Sequence, residues 1–495
     1  VTLGQNLLGG SGNDRFVFEN AGALNVAIDG EGDNDTLEGD DDGNTFTVDN
    51  PNQGTLPGKV TGSFLSIENL VGGDAADTFM VVGLGSLAGS ISGAGGDDQV
   101  FVEPGRTVSG SINGDAGNDS ITVRDTARVS GTINGGDNND TLNIDYSGND
   151  IRALVYNGGN GTDTLNLTGG RAGATGTYTA GPATGAGQYI TTASPMESPN
   201  AQTINFTGLE PISDTQVLDT LTVNGSGGND TVNIVDATAP GFSGFTEVNF
   251  NATYSPIRFQ NKAAVNVNGQ GGNDILNVNT AGATSGLIIN VNGDNIPGSP
   301  LTAGVAGTDT INLNVSHAGD HSGGGGNDIF VLQASTVLTG SIAGNGGVDT
   351  LNASSLTSNV GVTLNVLGST DGFNGVVATS LVDSFTFTDL DSIQSGLGND
   401  TLTNAQAAAA NWELDGTNRF VTTDDFAFSG FENLNGGDGV DNFTVSGVQT
   451  LNIAAGDGDD TLALNANAFL NGPFDAGSGA DTIDFSAINN TAVSV

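Results

Sequence analysis

Sixteen aspartates close a Gly-rich hexapeptide that reads Gly-Gly-x-Gly-x-Asp or a looser form of it. Fifteen are candidate metal ligands: Asp14, Asp35, Asp77, Asp98, Asp119, Asp140, Asp163, Asp230, Asp274, Asp328, Asp349, Asp400, Asp441, Asp460 and Asp481. Asp309 marks the remaining copy. Glycine tolerates positive φ, so a Gly-rich turn can aim carbonyl oxygens at one point. Aspartate adds side-chain oxygens. Six to eight such oxygens suit a hard cation, and Ca²⁺ is the expected cofactor. Electrostatics points the same way. Two carboxylates one β-layer apart repel by roughly 3.5 kcal/mol at an effective dielectric of about 20. The chain has 10 Lys and Arg against 56 Asp and Glu, so protein cations cannot neutralise a ladder of these residues. The competing reading is that each Asp accepts backbone N–H bonds within its turn.

Other chemistry is sparse. His317 and His321 flank a turn before Gly323-Gly-Gly-Gly-Asn-Asp328, where they read as loop histidines. Arg124 and Arg128 lie close in sequence, but neighbouring repeats carry no matching residues. Without convergent acids and bases outside the turn ladder, no catalytic residue is assigned and an enzyme is not expected. The net charge of −46 argues against nucleic-acid binding. The absence of Cys excludes a disulfide scaffold, and no apolar run is long enough to insert in a membrane. With 36 % hydrophobic residues at regular positions, the chain is not expected to be disordered.

The elements that position the turns follow from their spacing. Asp77, Asp98, Asp119 and Asp140 are 21 residues apart, as are Asp328 and Asp349, and Asp460 and Asp481. Counting from each Asp, apolar residues stand two and four positions on, as at Phe79 and Val81 or Val100 and Val102. They return at ten and fourteen, as at Val108 and Ile112. A Gly column (Gly89, Gly110, Gly131, Gly340, Gly472) falls at twelve. Apolar alternation means short strands. One such unit cannot bury its inward face, whereas stacked units can. The expected fold is all-β: a parallel β-helix, or β-solenoid, right-handed by default, with about 21 residues per coil. Phe and Val columns should face inward, and Asp, Asn and Thr columns outward.

Regular coils are expected over 1–165, an irregular coil or insertion over 166–222, and continued β-helix over 223–495. Excursions are expected near 235–265, 276–308 and 352–392. A second motif recurs: Phe64-Leu-Ser-Ile67-Glu68-Asn-Leu70, Phe206-Thr-Gly-Leu209-Glu210-Pro-Ile212, Phe387-Thr-Asp-Leu390-Asp391-Ser-Ile393 and Phe428-Ser-Gly-Phe431-Glu432-Asn-Leu434. It reads as an alternative final strand of a coil, kept for packing. Neither Val1-Thr-Leu nor Ala492-Val-Ser-Val looks like a cap, so the chain reads as an excerpt of a longer array or a subunit that stacks end to end.

Gly9-Gly-Ser-Gly12-Asn-Asp14-Arg-Phe16, Gly227-Gly-Asn-Asp230-Thr-Val232 and Gly324-Gly-Gly-Asn-Asp328-Ile-Phe330 resemble the calcium-binding nonapeptide of RTX (repeats-in-toxin) proteins. That resemblance implies Ca²⁺ held between facing turns by Gly carbonyls and the final Asp. It also implies a secreted bacterial setting. The texture is similar to repeats of giant bacterial surface proteins. Two features depart from the family: the motif comes once per 21 residues, placing it on one edge, and Gly72-Gly-Asp-Ala-Ala-Asp77 has Ala where Gly belongs. The expected function is an extracellular, calcium-stabilised structural rod, serving as adhesin stalk, surface-layer or fibre subunit. Its expected partners are further copies end to end and surface glycans. A polysaccharide-active β-helix enzyme, a carbohydrate-binding module and an ice-binding rod are the alternatives.

Overall fold

A computed structural model describes residues 5–19, 22–147, 153–192, 201–250, 254–282, 286–294, 307–334, 336–379 and 384–488. The termini on which the end-stacking expectation rests lie outside these residues. Every regular element among the described residues is a β-strand. The chain divides into two compact units, Val1–Asn224 with Ala237–Ala264, and Gly225–Asp236 with Val265–Val495. Each is a parallel β-solenoid.

In the first unit, strands Thr78–Val81, Gln99–Val102, Ser120–Val123, Thr141–Tyr146 and Thr164–Gly169 stack in parallel, pairing residues 21 or 23 apart. A second wall runs through Asn69–Val71, Ile91–Ser92, Ile112–Ala116, Ile133–Asp137 and Leu154–Asn160. A short third wall comprises Ser86–Leu87, Thr107–Val108 and Arg128–Val129. The apolar phases anticipated from the sequence face inward. Phe79, Val81, Val100, Val102, Val108 and Ile112 are all at most 1 % exposed. Burying each such side chain contributes about 1.5–3 kcal/mol. The rings of Phe46 and Phe79 stack flat, with centroids 4.8 Å apart. The Gly column is steric in origin: an ideal Cβ on Gly110 would lie 2.4 Å from the Gly89 carbonyl oxygen. Outward Asn side chains form amide ladders. Asn166 donates to Asn143 Oδ1 (3.1 Å), Asn277 to Asn233 Oδ1 (2.9 Å) and Asn312 to Asn277 Oδ1 (2.8 Å).

Four irregular stretches obey one rule, whereas across 276–308 Ile275–Val278 stacks directly and in parallel on Thr310–Leu313. The chain climbs two layers, then descends through two antiparallel strands before the winding resumes. In the first unit the order up one wall is Ile28–Glu31, Phe64–Leu65, Gln53–Thr55, Thr45–Asn50, Thr78–Val81. The same zigzag places Gln202–Thr207, Gly187–Thr192 and Thr175–Ala180 between Leu154–Asn160 and Leu218–Asn224. In the second unit it recurs with Val360–Leu367, Phe373–Thr379 and Ser384–Leu390. Ala410–Leu414, Arg419–Val421 and Asp425–Ser429 form another. The excursions near 166–222 and 352–392 are thus built into the walls. The 42-residue gap from Asp35 to Asp77 holds a zigzag, not two plain coils.

The first unit also buries an ion pair. Lys262 Nζ donates to Asp214 Oδ1 at 2.9 Å and to the Gln216 carbonyl at 2.7 Å, and both charged side chains are wholly buried. The Tyr189 hydroxyl donates to Asp214 Oδ2. Burial pushes the Lys262 pKa down, while the facing Asp214 opposes that shift. Removing one partner of such a pair strands the other charge. Lys262→Met should therefore lower the stability measured by urea unfolding by about 3–5 kcal/mol, and Lys262→Met with Asp214→Leu by less. A single variant as stable as the parent would show that the pair is dispensable.

Candidate functional site: the turn-acid columns

Three local demands explain the hexapeptide. In most copies its fourth residue takes positive φ, as at Gly12 (110°), Gly96 (95°) and Gly326 (116°). Where Gly is absent, Asp33 (77°) and Asn138 (83°) take the same conformation, which Asp and Asn tolerate best. The second residue does likewise, including Ala94 and Asp115 at 74°. In most copies the first residue is Gly, whose missing Cβ leaves room for the acid; Ser395, Ala455 and Ala476 open the turns of Asp400, Asp460 and Asp481. An ideal Cβ on Gly93 would sit 2.0 Å from Asp98 Oδ2 and 2.5 Å from the Gly114 carbonyl oxygen of the next coil. Gly114 and Gly135 are crowded in the same way, by Asp119 with Gly135 O and by Asp140 with Gly158 O.

The turn acids therefore point inward. Asp77, Asp98, Asp119, Asp140 and Asp163 are at most 2 % exposed, which corrects the expectation of an outward Asp column. The reason is a hydrogen bond that runs between coils. Asp77 N–H donates to Asp98 Oδ1 (2.7 Å), Asp98 N–H to Asp119 Oδ1, Asp119 N–H to Asp140 Oδ1 and Asp140 N–H to Asp163 Oδ1 (each 2.8 Å). The corner has no strand partner for these amides, so the side chain supplies the acceptor. In the second unit Asp230, Asp274, Asp309, Asp328 and Asp349 repeat the ladder at 2.7–2.8 Å. Asp441, Asp460 and Asp481 form another run, at 2.8 and 3.0 Å.

Two corners carry the motif, where one edge was expected. Asp77 leads into Thr78–Val81 of the first wall. Asp14 and Asp35 lead instead into Arg15–Val17 and Thr36–Glu38, which stack under Asn69–Val71 of the second wall. Asp14 N–H donates to Asp35 Oδ1 at 2.8 Å. In the second unit Asp400 stands likewise at the other corner, entering Thr401–Asn404. The sequence-predicted residues thus gather into separate runs. Four further acids, which the sequence reading assigned to packing, extend those runs. Asp35 N–H donates to Glu68 Oε2 (2.9 Å), Asp349 N–H to Asp391 Oδ2 (2.7 Å) and Asp400 N–H to Glu432 Oε2 (2.8 Å). Glu210 accepts from the Asp163 N–H in the same manner. All four belong to the Phe-x-x-apolar-acid motif, directly after the last strand of a zigzag. The recurrence of an acid at one place in that motif was the available signal.

The second carboxyl oxygen has no partner in most of the column. Oδ2 of Asp98, Asp119, Asp140, Asp163, Asp274, Asp309, Asp328 and Asp349 is buried and makes no hydrogen bond. Desolvation pushes the carboxyls up: Asp98, Asp140, Asp274 and Asp349 to about 7, Asp309 to about 8, and Asp119 and Asp328 to about 6. Hydrogen bonds from the preceding Asp amides oppose the shift, and neighbouring carboxylates reinforce it. An orphan oxygen of this kind suits a hard cation in its chemistry. The surroundings do not fit a calcium cage. Oδ1 is committed to a backbone N–H, Oδ2 fills the space where the turn glycine's Cβ would stand, and among the described residues no three His, Cys, Asp or Glu side chains converge on one point.

His317 and His321 are not loop residues. They are 7 % and 1 % exposed, with their Nε2 atoms 3.0 Å apart and His317 Nδ1 2.8 Å from the Val315 carbonyl. Burial holds both pKa values down.

These features define an all-β parallel solenoid with internal acid columns. The chain matches no protein-family model and no curated protein.

The ladder makes a local prediction. Glu432→Ala leaves the Asp400 amide buried without an acceptor, at a cost of about 1–3 kcal/mol. Hydrogen exchange across 396–404 should accelerate about tenfold or more in Glu432→Ala and change little in Glu432→Gln, which keeps the acceptor. Equal protection in parent and Glu432→Ala would remove Glu432 from the column.

Proposed function

We propose that the chain is a structural segment of an extracellular bacterial surface or matrix protein, serving as stalk, surface-layer or fibre material. One observation carries this reading: the repeated acids are spent on holding coil to coil. Asp98, Asp119 and Asp140 each accept an amide from the coil before, so the most frequent functional group in the repeat faces inward. Basic groups are likewise engaged. Arg124 pairs with Glu103, Arg258 with Glu247, and Arg419 with Glu413 and Asp425. The −46 charge favours solubility and repels anionic surfaces. Further copies end to end and surface glycans are the proposed partners. The resemblance to RTX repeats supports the secreted setting.

Incubation with neutral and acidic polysaccharides should release no new reducing ends. Concentrated protein in electron micrographs should form end-to-end filaments. Turnover of any glycan would overturn the structural reading in favour of a β-helix enzyme. Single particles at every concentration would remove self-assembly.

A further inference from the structure

We propose that the buried column is held by protons: the orphan Oδ2 carries a hydrogen and donates it to the backbone carbonyl that faces it from the next coil, the first-glycine carbonyl at Asp98, Asp119 and Asp140. The inference concerns the column and stands apart from the surface role.

Three observations carry it. The first is placement. Asp98 Oδ2 and the Gly114 carbonyl oxygen both lie close to the point where a Gly93 Cβ would stand, at 2.0 and 2.5 Å, and Asp119 and Asp140 repeat the arrangement with the Gly135 and Gly158 carbonyls. Two acceptor oxygens so placed, one of them buried and unpartnered, call for a shared hydrogen. The second is a natural replacement. Asn44 occupies the sixth position of the turn that opens at Gly39, and its N–H donates to Asp77 Oδ1 as an Asp would. Its Nδ2 lies against Gly39 where Oδ2 lies in the other coils, and it donates to the Asp40 carbonyl at 2.7 Å. The corner therefore accommodates a donor at that atom. The third is charge. The groups facing Asp98 are Asp77, Asp115 and Asp119. Those facing Asp119 are Asp97 and Asp115. Asp119, Asp137 and Asp163 face Asp140. Tyr156, from the neighbouring wall, faces Asp119, Asp140 and Asp163. None of these is a cation, so ionised neighbours would repel at close range.

The run ends differ in a way that fits. Oδ2 of Asp77 accepts the Gly73 N–H (2.7 Å), and Oδ2 of Asp230 accepts the Ser226 N–H (2.6 Å). In these two carboxyls a backbone N–H already satisfies Oδ2.

Folding then takes up protons that the unfolded chain releases. Carboxyls raised above the ordinary 3.8 stabilise the fold fully below that value and lose their contribution as pH rises through about 6 to about 8. The melting temperature of metal-free protein should fall by several degrees from about pH 5 to about pH 9. Repulsion among exposed carboxylates gives a fall of the same sign, but salt screens it. The column's share should persist in high salt. Infrared spectra at neutral pH should show the carbonyl band of protonated carboxyls. Asp98→Asn with Asp119→Asn and Asp140→Asn should weaken that band and flatten the pH profile, because a side-chain amide brings its own donor. Exposed Asp97→Asn should do neither. Two results would overturn the inference: no protonated-carboxyl band at neutral pH, or a melting temperature at about pH 8 that calcium raises and EDTA lowers in the parent but not in the triple variant.

Discussion

The bond from the amide of one turn aspartate to the carboxyl of the next is the constraint to which the rest of the repeat answers. Parallel strands satisfy their own backbone groups along each wall, but a solenoid must turn between walls, and there the amides lose their strand partners. A side-chain acceptor closes that gap only if it reaches the next layer, so the acid turns inward and along the stack. The 2.7–2.8 Å spacing from Asp77 through Asp163 then fixes the register of neighbouring coils as firmly as the strands do. The glycine at the head of the turns of Asp98, Asp119 and Asp140 follows, because the carboxyl fills the space where a Cβ would stand. Apolar columns fall into line as a consequence: Phe46 lies on Phe79 and Val100 on Ile121 because the corners beneath them are locked.

The zigzags show how the chain departs from plain winding without losing that lock. Each inserts two antiparallel strands into one wall, which keeps the wall hydrogen-bonded and its inward alternation intact. The column survives at the point of return, where Glu68, Glu210, Asp391 or Glu432 stands in for the turn aspartate. Glu68 and Glu432 serve the corner entered by Asp35 and Asp400, whereas Asp391 follows Asp349. A zigzag can therefore precede a change of the corner that carries the motif, as between Asp35 and Asp77 in the first unit. The longer Glu side chain suits a return strand that lacks a Gly-rich turn.

The fold was legible because inward positions must be apolar whatever the strand direction. Phe79, Val102 and Ile112 sit where alternation and period put them. The same indifference hid the zigzags: Thr45–Asn50 alternates like any parallel strand, and nothing local reveals that Gln53–Thr55 runs back against it. The positions of the candidate acids were legible as well, since a 21-residue period fixes vertical alignment. Their direction was not, because turn aspartates are exposed in most settings and only the neighbouring coil supplies the amide that draws them in. Glu68 and Glu432 were read as packing because their motif is dominated by Phe and Leu. His317 and His321 were read as loop residues because Gly surrounds them, yet His321 pairs in register with Val291 and Ile342, a core column.

A chain of charge −46 that hides many carboxyls needs a reason to use aspartate where a neutral amide would fit. The outer walls show the alternative in use: Asn143, Asn166, Asn277 and Asn312 ladder through their amides at half-buried positions without charge. Inside, Asn44 does the same work once. Aspartate differs from asparagine in that its donor can be removed. A column of aspartates holds coils together while it keeps its protons and loosens when it loses them, whereas an asparagine column holds at any pH. The Lys262–Asp214 pair marks the limit of this arrangement. Asp214 ends a strand that stacks in register between Leu167 and Phe259, away from the turn corners, and there a buried cation faces the carboxyl.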